Sequence, residues 1–433
     1  MEFLTPAVIT LLVLAVMAVL FVTEAIPLAI TAMSGAIILG ALGVITPAQV
    51  FSGLSNSTVV LFAGMFVIGS AMFHTGLAQK MGATVVRAFG TSEKSLMFGT
   101  MFIAAALSSI TSNTGTTAAL MPAVIGICSA ASISPSRQLM PLAFSAGAGG
   151  TITLVGTPPN IIASAALKGE GLIPFGFFEF GLIGIPVTIV TILYMMFVGR
   201  HLLPKGKQPV SGEELDRHME DAAEYAPPKT STHDPKKMWI CAATLFVVVA
   251  VMALDIKRFP LEMVAVSGAI ILVLTRCLTE KEAYQGIDWV TIFLFAGMMP
   301  VAMALDKSGA GQLIAGQVVS VLGDRPSPYL VCAVLFLLSA SLTQFMSNTA
   351  SAALLCPIGL SIAKEIGVSP HAVIMSICIA ASCAFATPVG TPPNTLVLGA
   401  GGYHFMDYVK AGLPLVVLQL ILCSILIPII WPF

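Results

Sequence analysis

Two short polar motifs, each present twice within apolar sequence, constrain this chain more than any other feature. Gly-Thr-Pro-Pro-Asn occurs at Gly156–Asn160 and at Gly390–Asn394, and Ser-Asn-Thr occurs at Ser112–Thr114 and Ser347–Thr349. The copies lie 234 (390 − 156) and 235 (347 − 112) positions apart. Paired prolines interrupt a helix, and polar residues inside apolar runs are costly in lipid. The pattern therefore predicts interrupted helices at equivalent depth in two related halves of the chain.

Composition places the chain in a membrane. Of the 433 residues, 57% are apolar and 9% are charged, whereas a soluble domain carries about 25% charged residues. The formal net charge of −1 gives no basic character and argues against binding to nucleic acid. The eight cysteines lie in apolar runs without a C-x-x-C pair, which is typical of buried apolar residues. The segment Pro6–Thr23 has no basic leader or cleavage site and is interpreted as a retained membrane span.

Apolar runs of spanning length predict five membrane helices in each half of the chain. They cover residues 6–23, 28–45, 57–75, 139–167 and 174–199, then 239–254, 260–277, 290–306, 372–402 and 412–430. Around each Ser-Asn-Thr, two arms (97–112 and 115–131, then 329–346 and 350–364) are shorter than the ~20 residues that a full crossing needs. We therefore predict two re-entrant helical hairpins that enter the membrane and turn back at Ser-Asn-Thr.

The two halves match beyond these motifs, which indicates an internal duplication. Ser34-Gly-Ala-Ile-Ile matches the segment that begins at Ser267, and Phe62-Ala-Gly-Met matches the segment that begins at Phe295. Five spans are an odd number, so the second copy inserts upside down relative to the first. The predicted fold is an all-α polytopic membrane protein with two inverted-topology repeats, each with five transmembrane helices, one re-entrant hairpin and a broken helix at the midplane. The predicted boundaries are a first repeat at 1–200, a cytoplasmic linker at 201–237 and a second repeat at 238–433.

Positive charge predicts the orientation of this fold. With both termini outside, fourteen of the 20 lysines and arginines fall on the inner side, as the positive-inside rule requires. The six on the outer side are Lys168, Lys257, Arg258, Lys307, Arg325 and Lys364. Trp239, Trp289 and Trp431 lie at span ends, as in an interfacial aromatic belt. The linker is predicted to hold a short amphipathic helix at Glu213–Glu224, and the location that fits best is a bacterial inner membrane.

The four motifs contain hydroxyls, amides, glycine and proline, but no Asp, Glu, Lys, Arg or His. They therefore provide neither an acid–base pair nor a His/carboxylate metal site, and the chain is not predicted to be an enzyme.

Helix N-termini at the tips and breaks favour an anion, and the carbonyls left by the breaks favour a cation. The first Ser-Asn-Thr is followed by Gly115 and the second by Ala350, so the first tip is expected to have extra room for substrate.

Ser-Asn-Thr on two opposed hairpins, with Thr-Pro-Pro-Asn in two broken helices, resembles the divalent anion:sodium symporter (DASS) family of dicarboxylate, citrate and sulfate permeases. The stretch Ala386–Asn394, followed by Lys410–Pro414, strengthens this resemblance, which covers essentially the whole chain. The family works as a homodimer in which a transport domain slides against a fixed scaffold, so the resemblance implies an elevator mechanism. It also implies that the substrate is held by Asn113, Thr114, Asn348, Thr349, Pro158 and Pro392.

The resemblance further implies two or more sodium ions coupled to the substrate. One sodium would bind to Ser108, Ser112, Asn113 and the backbone of Gly156. The other would bind to Thr343, the carbonyl of Met346, Asn348 and the backbone of Gly390.

The leading hypothesis is Na⁺-coupled symport of a small divalent anion, a C4 dicarboxylate such as succinate, because each Ser-Asn-Thr tip can take one carboxylate. Three alternatives stay open: a symporter of sulfate or another inorganic oxyanion, an anion exchanger that does not use Na⁺, and an anion channel. A channel needs a continuous pore with a selectivity ring, whereas these polar breaks cluster at one depth.

Overall fold

The computed structural model describes residues 5–88, 92–131, 133–204, 234–254, 258–322 and 327–433. These residues form helices joined by short connections, and no strand occurs among them. The predicted linker helix at Glu213–Glu224 lies outside the described residues. The predicted all-α fold is therefore confirmed for the parts of the chain that can be assessed.

The described residues of the first half form ten α-helices. They are α1 Pro6–Thr23, α2 Leu28–Ala41, α3 Pro47–Val50, α4 Ser57–His74, α5 Leu77–Ala88, α6 Glu93–Ser108, α7 Asn113–Ala130, α8 Leu139–Gly149, α9 Pro158–Gly169 and α10 Gly181–Tyr194. Helix α10 continues through a π-helical segment, Met195–Gly199, into Arg200–Leu202.

The second half repeats this order, so each helix has its counterpart ten places earlier. The helices are α11 Pro235–Ala253, α12 Leu261–Leu274, α13 Glu280–Gln285, α14 Trp289–Ser308, α15 Ala310–Leu322, α16 Pro328–Leu342, α17 Asn348–Ile366, α18 Pro370–Ala381, α19 Pro392–Ala400 and α20 Phe405–Ile430. Both predicted hairpins (α6–α7 and α16–α17) and both predicted broken helices (α8–α9 and α18–α19) are present.

Seven of the described helices are long and apolar enough to cross a membrane: α1, α4, α10 with its extension, α11, α14, α17 and α20. Helices α2 and α12 have 14 residues each, shorter than the predicted spans 28–45 and 260–277, because the apolar runs include loop residues. Helix α17, predicted as a short hairpin arm, reaches 19 residues. Large apolar side chains on the surface, such as Val16 (59% exposed) and Phe246 (74% exposed), suit a lipid environment.

The helices form two bundles. The first bundle contains α1, α2, α4, α11, α12 and α14, and the second contains α6–α10 and α16–α20. In the first bundle the two repeats interlock, because α2 packs along α14 and α4 packs along α12. Helices α5 and α15, which we did not predict as separate elements, follow the third span of each repeat and contact both bundles.

Glycine permits the close helix crossings of the first bundle. A Cβ atom added to Gly64 would lie 2.8 Å from the carbonyl carbon of Ala265, and one added to Gly297 would lie 2.7 Å from the carbonyl carbon of Ala32. Both glycines belong to the Phe-Ala-Gly-Met segments that the sequence analysis found twice. Small residues let helix backbones approach closely in membrane proteins. The glycine of the Phe-Ala-Gly-Met segment therefore permits the equivalent helix crossing in each repeat.

The tryptophans depart in part from the predicted interfacial belt. Trp239 and Trp289 are exposed at 69% and 47%, as a belt requires. Trp431 is instead buried at 9% exposure, and its indole Nε1 donates to Glu179 Oε1 at 2.7 Å. Trp431 does lie at the end of its helix, as predicted, but it packs inside the protein and not in a belt, where Glu179 on the α9–α10 connection accepts its hydrogen bond.

Candidate functional site

The two Ser-Asn-Thr motifs cap the second arm of each hairpin. Ser112 Oγ accepts a hydrogen bond from Gly115 N at 3.0 Å, and Ser347 Oγ accepts one from Ala350 N at 3.1 Å. These are N-cap interactions, so Asn113 and Asn348 become the first residues of α7 and α17. The N–H groups of the first helical turn have no carbonyl partner within the helix and point out of its end.

The asparagine of each Gly-Thr-Pro-Pro-Asn motif closes the break in its own helix. Asn160 Nδ2 donates to Gly150 O at 3.1 Å and to Thr153 O at 2.7 Å. In the second repeat, Asn394 Nδ2 donates to Ala384 O at 2.7 Å and to Thr387 O at 3.0 Å. We expected the breaks to leave carbonyls bare, and for these four carbonyls that expectation was wrong because a buried amide satisfies them.

A first cluster of oxygens lies behind the tip of the first hairpin. Ser108 Oγ donates to Asn113 Oδ1 at 2.6 Å, and both residues are buried. A Cβ added to Gly150 would lie 2.4 Å from Asn113 Oδ1, and one added to Gly156 would lie 2.5 Å from Gly150 O and 3.0 Å from Ser109 O. Backbone and side-chain oxygens thus converge where only glycine leaves room for them.

A second cluster lies at the equivalent place behind the other tip. One terminal atom of the Asn348 amide lies 2.8 Å from Thr343 Oγ1, 3.0 Å from Ala381 O and 3.2 Å from Gly390 O. With Nδ2 in that position, the amide donates to all three acceptors. With Oδ1 there, it faces three oxygens, of which only the Thr343 hydroxyl can donate to it. The two orientations differ by a rotation of the amide group, and the three neighbouring acceptors favour the orientation that places Nδ2 there.

A single cavity of about 520 Å³ joins both tips and both breaks, a volume within the ~300–1,000 Å³ of small-molecule sites. Eight of the predicted site residues line it: Ser112, Asn113, Thr114, Gly156, Pro158, Asn348, Thr349 and Pro392. The other four (Ser108, Thr343, Met346 and Gly390) are buried and are not among the described residues of the lining. The structure therefore brings the two halves of the predicted anion site together, with the predicted cation ligands close behind.

Four further threonines line the cavity and were not predicted as site residues: Thr111, Thr157, Thr291 and Thr391. Thr157 and Thr391 are the N-caps of α9 and α19, and neither side chain makes a cap hydrogen bond. Thr111 lies in the turn of the first hairpin, with its hydroxyl 2.8 Å from that of Thr116. Thr157 and Thr391 could have been predicted from the sequence, because each is the threonine of a Gly-Thr-Pro-Pro-Asn motif.

The cavity extends towards one face of the protein. Its described lining follows the last turns of α4 to Ser70 and His74, and continues through Gln285 at the end of α13 and Asp288 and Val290 at the start of α14. The last three are exposed. No described residue from the opposite ends of α4 or α14 lines it, although the two repeats are built alike. The site is therefore accessible from the face where α4 ends and α14 begins.

Among the described residues that line the cavity there is no lysine or arginine. His74 and Asp288 are the titratable side chains of this part of the lining, and both lie near the open face. Four helices (α7, α9, α17 and α19) instead direct their N-termini at the cavity, and helix dipoles favour negative charge there. Within the described chain, no group of three His, Cys, Asp or Glu residues could hold a metal ion.

Comparison with known proteins identifies the family. The family model CitMHS, described as citrate transporter, matches residues 18–358 and 330–433. A transporter from Haemophilus influenzae is 30% identical, with 92% of this chain and 86% of the relative covered. The transporter YfbS of Escherichia coli K12 is 26% identical (97% and 98% covered). The sodium-dependent dicarboxylate transporter SdcS of Staphylococcus aureus is 28% identical (90% and 80% covered).

Two solved structures share the fold at low sequence identity. The YdaH transporter of Alcanivorax borkumensis superposes with a TM-score of 0.63 at 15% identity, covering 95% of this chain and 98% of the other. MtrF of Neisseria gonorrhoeae gives a TM-score of 0.63 at 14% identity, covering 99% and 95%. With the family match over nearly the whole chain and the site at the junction of two repeats, this chain belongs to the citrate transporter family CitMHS, related to the divalent anion:sodium symporters, and is a membrane transporter and not an enzyme.

Proposed function

We propose that this chain is a Na⁺-coupled symporter of a small divalent anion, a C4 dicarboxylate such as succinate. The observation that carries the proposal is the pair of Ser-Asn-Thr tips on one cavity, each backed by its own cluster of oxygens. The relative SdcS, a sodium-dependent dicarboxylate transporter, supports the same assignment at 28% identity.

In this proposal each tip holds one carboxylate of the substrate. Asn113 and Thr114 begin α7, and Asn348 and Thr349 begin α17, so both pairs offer backbone N–H groups and polar side chains to the cavity. The prolines Pro158 and Pro392 have no N–H to donate, so α9 and α19 would contribute their dipoles and the hydroxyls of their N-caps. A dicarboxylate suits this arrangement better than a single inorganic ion, because two separate Ser-Asn-Thr tips border the cavity and each can hold one carboxylate.

The oxygen clusters fit a hard monovalent cation. Ser108, Asn113 and the backbone at Gly156 supply neutral oxygens on one side, and Thr343, Asn348 and the backbone at Gly390 supply them on the other. Ser112 remains in the first proposed set, although its hydroxyl also caps α7. Met346 is placed in the second set through its carbonyl. The cations would offset the charge of a substrate that meets no lysine or arginine in the described lining.

We further propose an elevator mechanism in a homodimer. The first bundle would be the fixed scaffold that holds the dimer, and the hairpins and broken helices of the second bundle would move. The repeats would divide at 1–200 and 238–433, with 201–237 as a cytoplasmic linker. With both termini outside a bacterial inner membrane, the accessible face of the cavity is the cytoplasmic one, so this conformation is inward-facing.

Uptake of labelled succinate into proteoliposomes tests the proposal. We expect uptake with an inward Na⁺ gradient and none when K⁺ replaces Na⁺. Uptake that needs internal anion and not Na⁺ would establish an exchanger instead. Sulfate uptake that succinate does not inhibit would favour the oxyanion symporter, and unitary currents in a planar bilayer would favour a channel.

A further inference from the structure

The aromatic ring of Phe73 occupies the space that Gly115 leaves open. Phe73 lies at the end of α4 in the first bundle, and Gly115 follows Thr114 in α7 of the second bundle. A Cβ added to Gly115 would lie 2.6 Å from Phe73 Cε2, 2.7 Å from Phe73 Cζ and 2.8 Å from Ser112 Oγ, distances that real Cβ atoms do not adopt. Both residues line the cavity. The room expected at Gly115 is therefore filled by a ring and is not open to substrate.

The residue equivalent to Phe73 in the second repeat is not aromatic. The position equivalent to Phe73 in the second repeat is Asp306, 233 residues later (306 − 73), and the one equivalent to Gly115 is Ala350. Asp306 Oδ1 lies 3.0 Å from Lys364 Nζ on the protein surface, with its side chain 60% exposed. The two tips are thus alike in their Ser-Asn-Thr residues and differ in the residue that follows the motif and in the residue at the position of Phe73.

We propose that Phe73 is a specificity-determining residue, which limits the length of the anion by closing the cavity wall at the first tip. Gly115 is its steric partner, since only glycine lets the ring lie against the start of α7. The ring lines the same cavity beside Gly115, next to Asn113 and Thr114, so an anion held by these two residues would meet it. The inference rests on the proposed transport of a dicarboxylate and adds the residue pair that sets its size.

Competition against labelled succinate tests the size limit. The competitors are succinate, glutarate, adipate and citrate, and the variants are wild type, Phe73→Leu and the matched control Phe102→Leu, whose half-exposed ring does not line the cavity. We expect Phe73→Leu to lower the ratio of the inhibition constants of adipate and succinate about tenfold, the scale of a methylene in a shaped pocket. Phe102→Leu should leave the ratio as in wild type.

A steric rescue tests the pair directly. Gly115→Ala should lower the initial rate of succinate uptake about tenfold, because its methyl group collides with the ring and overpacks the contact. Adding Phe73→Leu to Gly115→Ala should restore most of that rate, since the shorter side chain removes the collision with the ring. The remaining contact with Ser112 Oγ can be accommodated, because Ser347 caps α17 with an alanine, Ala350, at the equivalent position. Ala350→Gly at the second tip is the matched control, and its size preference should equal that of wild type.

An unchanged adipate-to-succinate ratio in Phe73→Leu, or a double variant no faster than Gly115→Ala, would overturn the inference. If Gly115→Ala does not give folded protein, the size preference of Phe73→Leu alone decides. The two failures are distinguishable: wild type that takes up no dicarboxylate defeats the proposed function, whereas active wild type with an unchanged ratio defeats only the role of Phe73.

Discussion

Ser108 and Asn113 face each other across the turn of the first hairpin, with the serine hydroxyl donating to the asparagine Oδ1 at 2.6 Å. The hydroxyl oxygen keeps its lone pairs for a cation beside Asn113. We expect Ser108→Ala to raise the Na⁺ concentration for half-maximal uptake about tenfold, the scale of one lost contact to a charged group. Thr343→Ala should do the same at the second cluster. Ser55→Ala, at an exposed hydroxyl away from the cavity, is the control. Equal Na⁺ dependence in all three variants would contradict the cation assignment.

The tips themselves are tested by Asn113→Ala and Asn348→Ala. Each change removes an amide from the first turn of a helix that points at the cavity. We expect succinate uptake at saturating Na⁺ to fall at least about tenfold in each, because a buried polar contact to a charged carboxylate is lost. Protein amount and monodispersity, measured on the same preparations, separate loss of transport from loss of folding. Wild-type rates in either variant would remove that asparagine from the substrate site.

The broken helices depend on the asparagines that close them. Asn160→Ala leaves the carbonyls of Gly150 and Thr153 without their buried donor, and each unsatisfied group costs about 1–3 kcal/mol. We therefore expect a lower thermal unfolding temperature in detergent. Asn160→Asp should lower it further, because a carboxylate would face two carbonyl oxygens. Asn56→Ala, which removes an N-cap of α4, provides a comparison with an expected cost of about 1 kcal/mol. Equal stability of the alanine and aspartate variants would contradict the donor role.

The crossing of α4 and α12 is tested by Gly64→Ala. Its added methyl would lie 2.8 Å from the carbonyl carbon of Ala265, so the helices would have to separate. Overpacking of this kind costs about 1–3 kcal/mol, and Gly297→Ala should behave alike at the equivalent crossing. Gly69→Ala is the matched control, since it lies on the same helix with nothing within 4 Å of the added atom. The readout is the thermal unfolding temperature. If Gly69→Ala were as unstable as Gly64→Ala, the role of Gly64 in the helix crossing would be contradicted.

Cysteine labelling tests which face of the cavity is open. All eight native cysteines are buried, so an introduced cysteine should dominate the reaction with a membrane-impermeant maleimide. Ser70→Cys, in the cavity lining, should react from the cytoplasmic side and more slowly with succinate and Na⁺ present. Met303→Cys is the equivalent position in the second repeat, outside the described lining, and should react much more slowly from that side. Reaction of Ser70→Cys only from the outside would reverse the proposed orientation.

Sequence reasoning could predict most of the fold because the duplicated motifs interrupt apolar runs at matched positions. The hairpins, the broken helices and the equivalence of the two Phe-Ala-Gly-Met segments all follow from patterns that occur once in each repeat. One repeat alone would have left each of these patterns ambiguous. Helices α5 and α15 were missed because their polarity falls between that of a span and that of a loop. The length of α17 was underestimated for a similar reason, since Lys364 and Glu365 lie in its last turns and interrupt the apolar pattern.

The candidate site was predictable in its residue types and less so in their roles. The motif threonines Thr157 and Thr391 were passed over because a threonine before proline is also an ordinary helix cap. The bonds from Asn160 and Asn394 to carbonyls of the preceding segment depend on how the chain turns within the break, which periodicity does not specify. The contact between Phe73 and Gly115 could not be predicted from the sequence, because it joins the two bundles and depends on their relative position.

The four motifs that meet at the cavity carry no ionisable side chain. This determines how much charge the protein moves across the membrane in each transport cycle. A carrier that returns empty moves no formal charge from these motifs through the membrane field, so the reset step should be insensitive to voltage. All charge displacement would then belong to the loaded step, as the sum of one divalent anion and its accompanying cations. With two Na⁺ the loaded step is electroneutral, and with three it is electrogenic. Transport current divided by substrate flux would thus count the coupling ions.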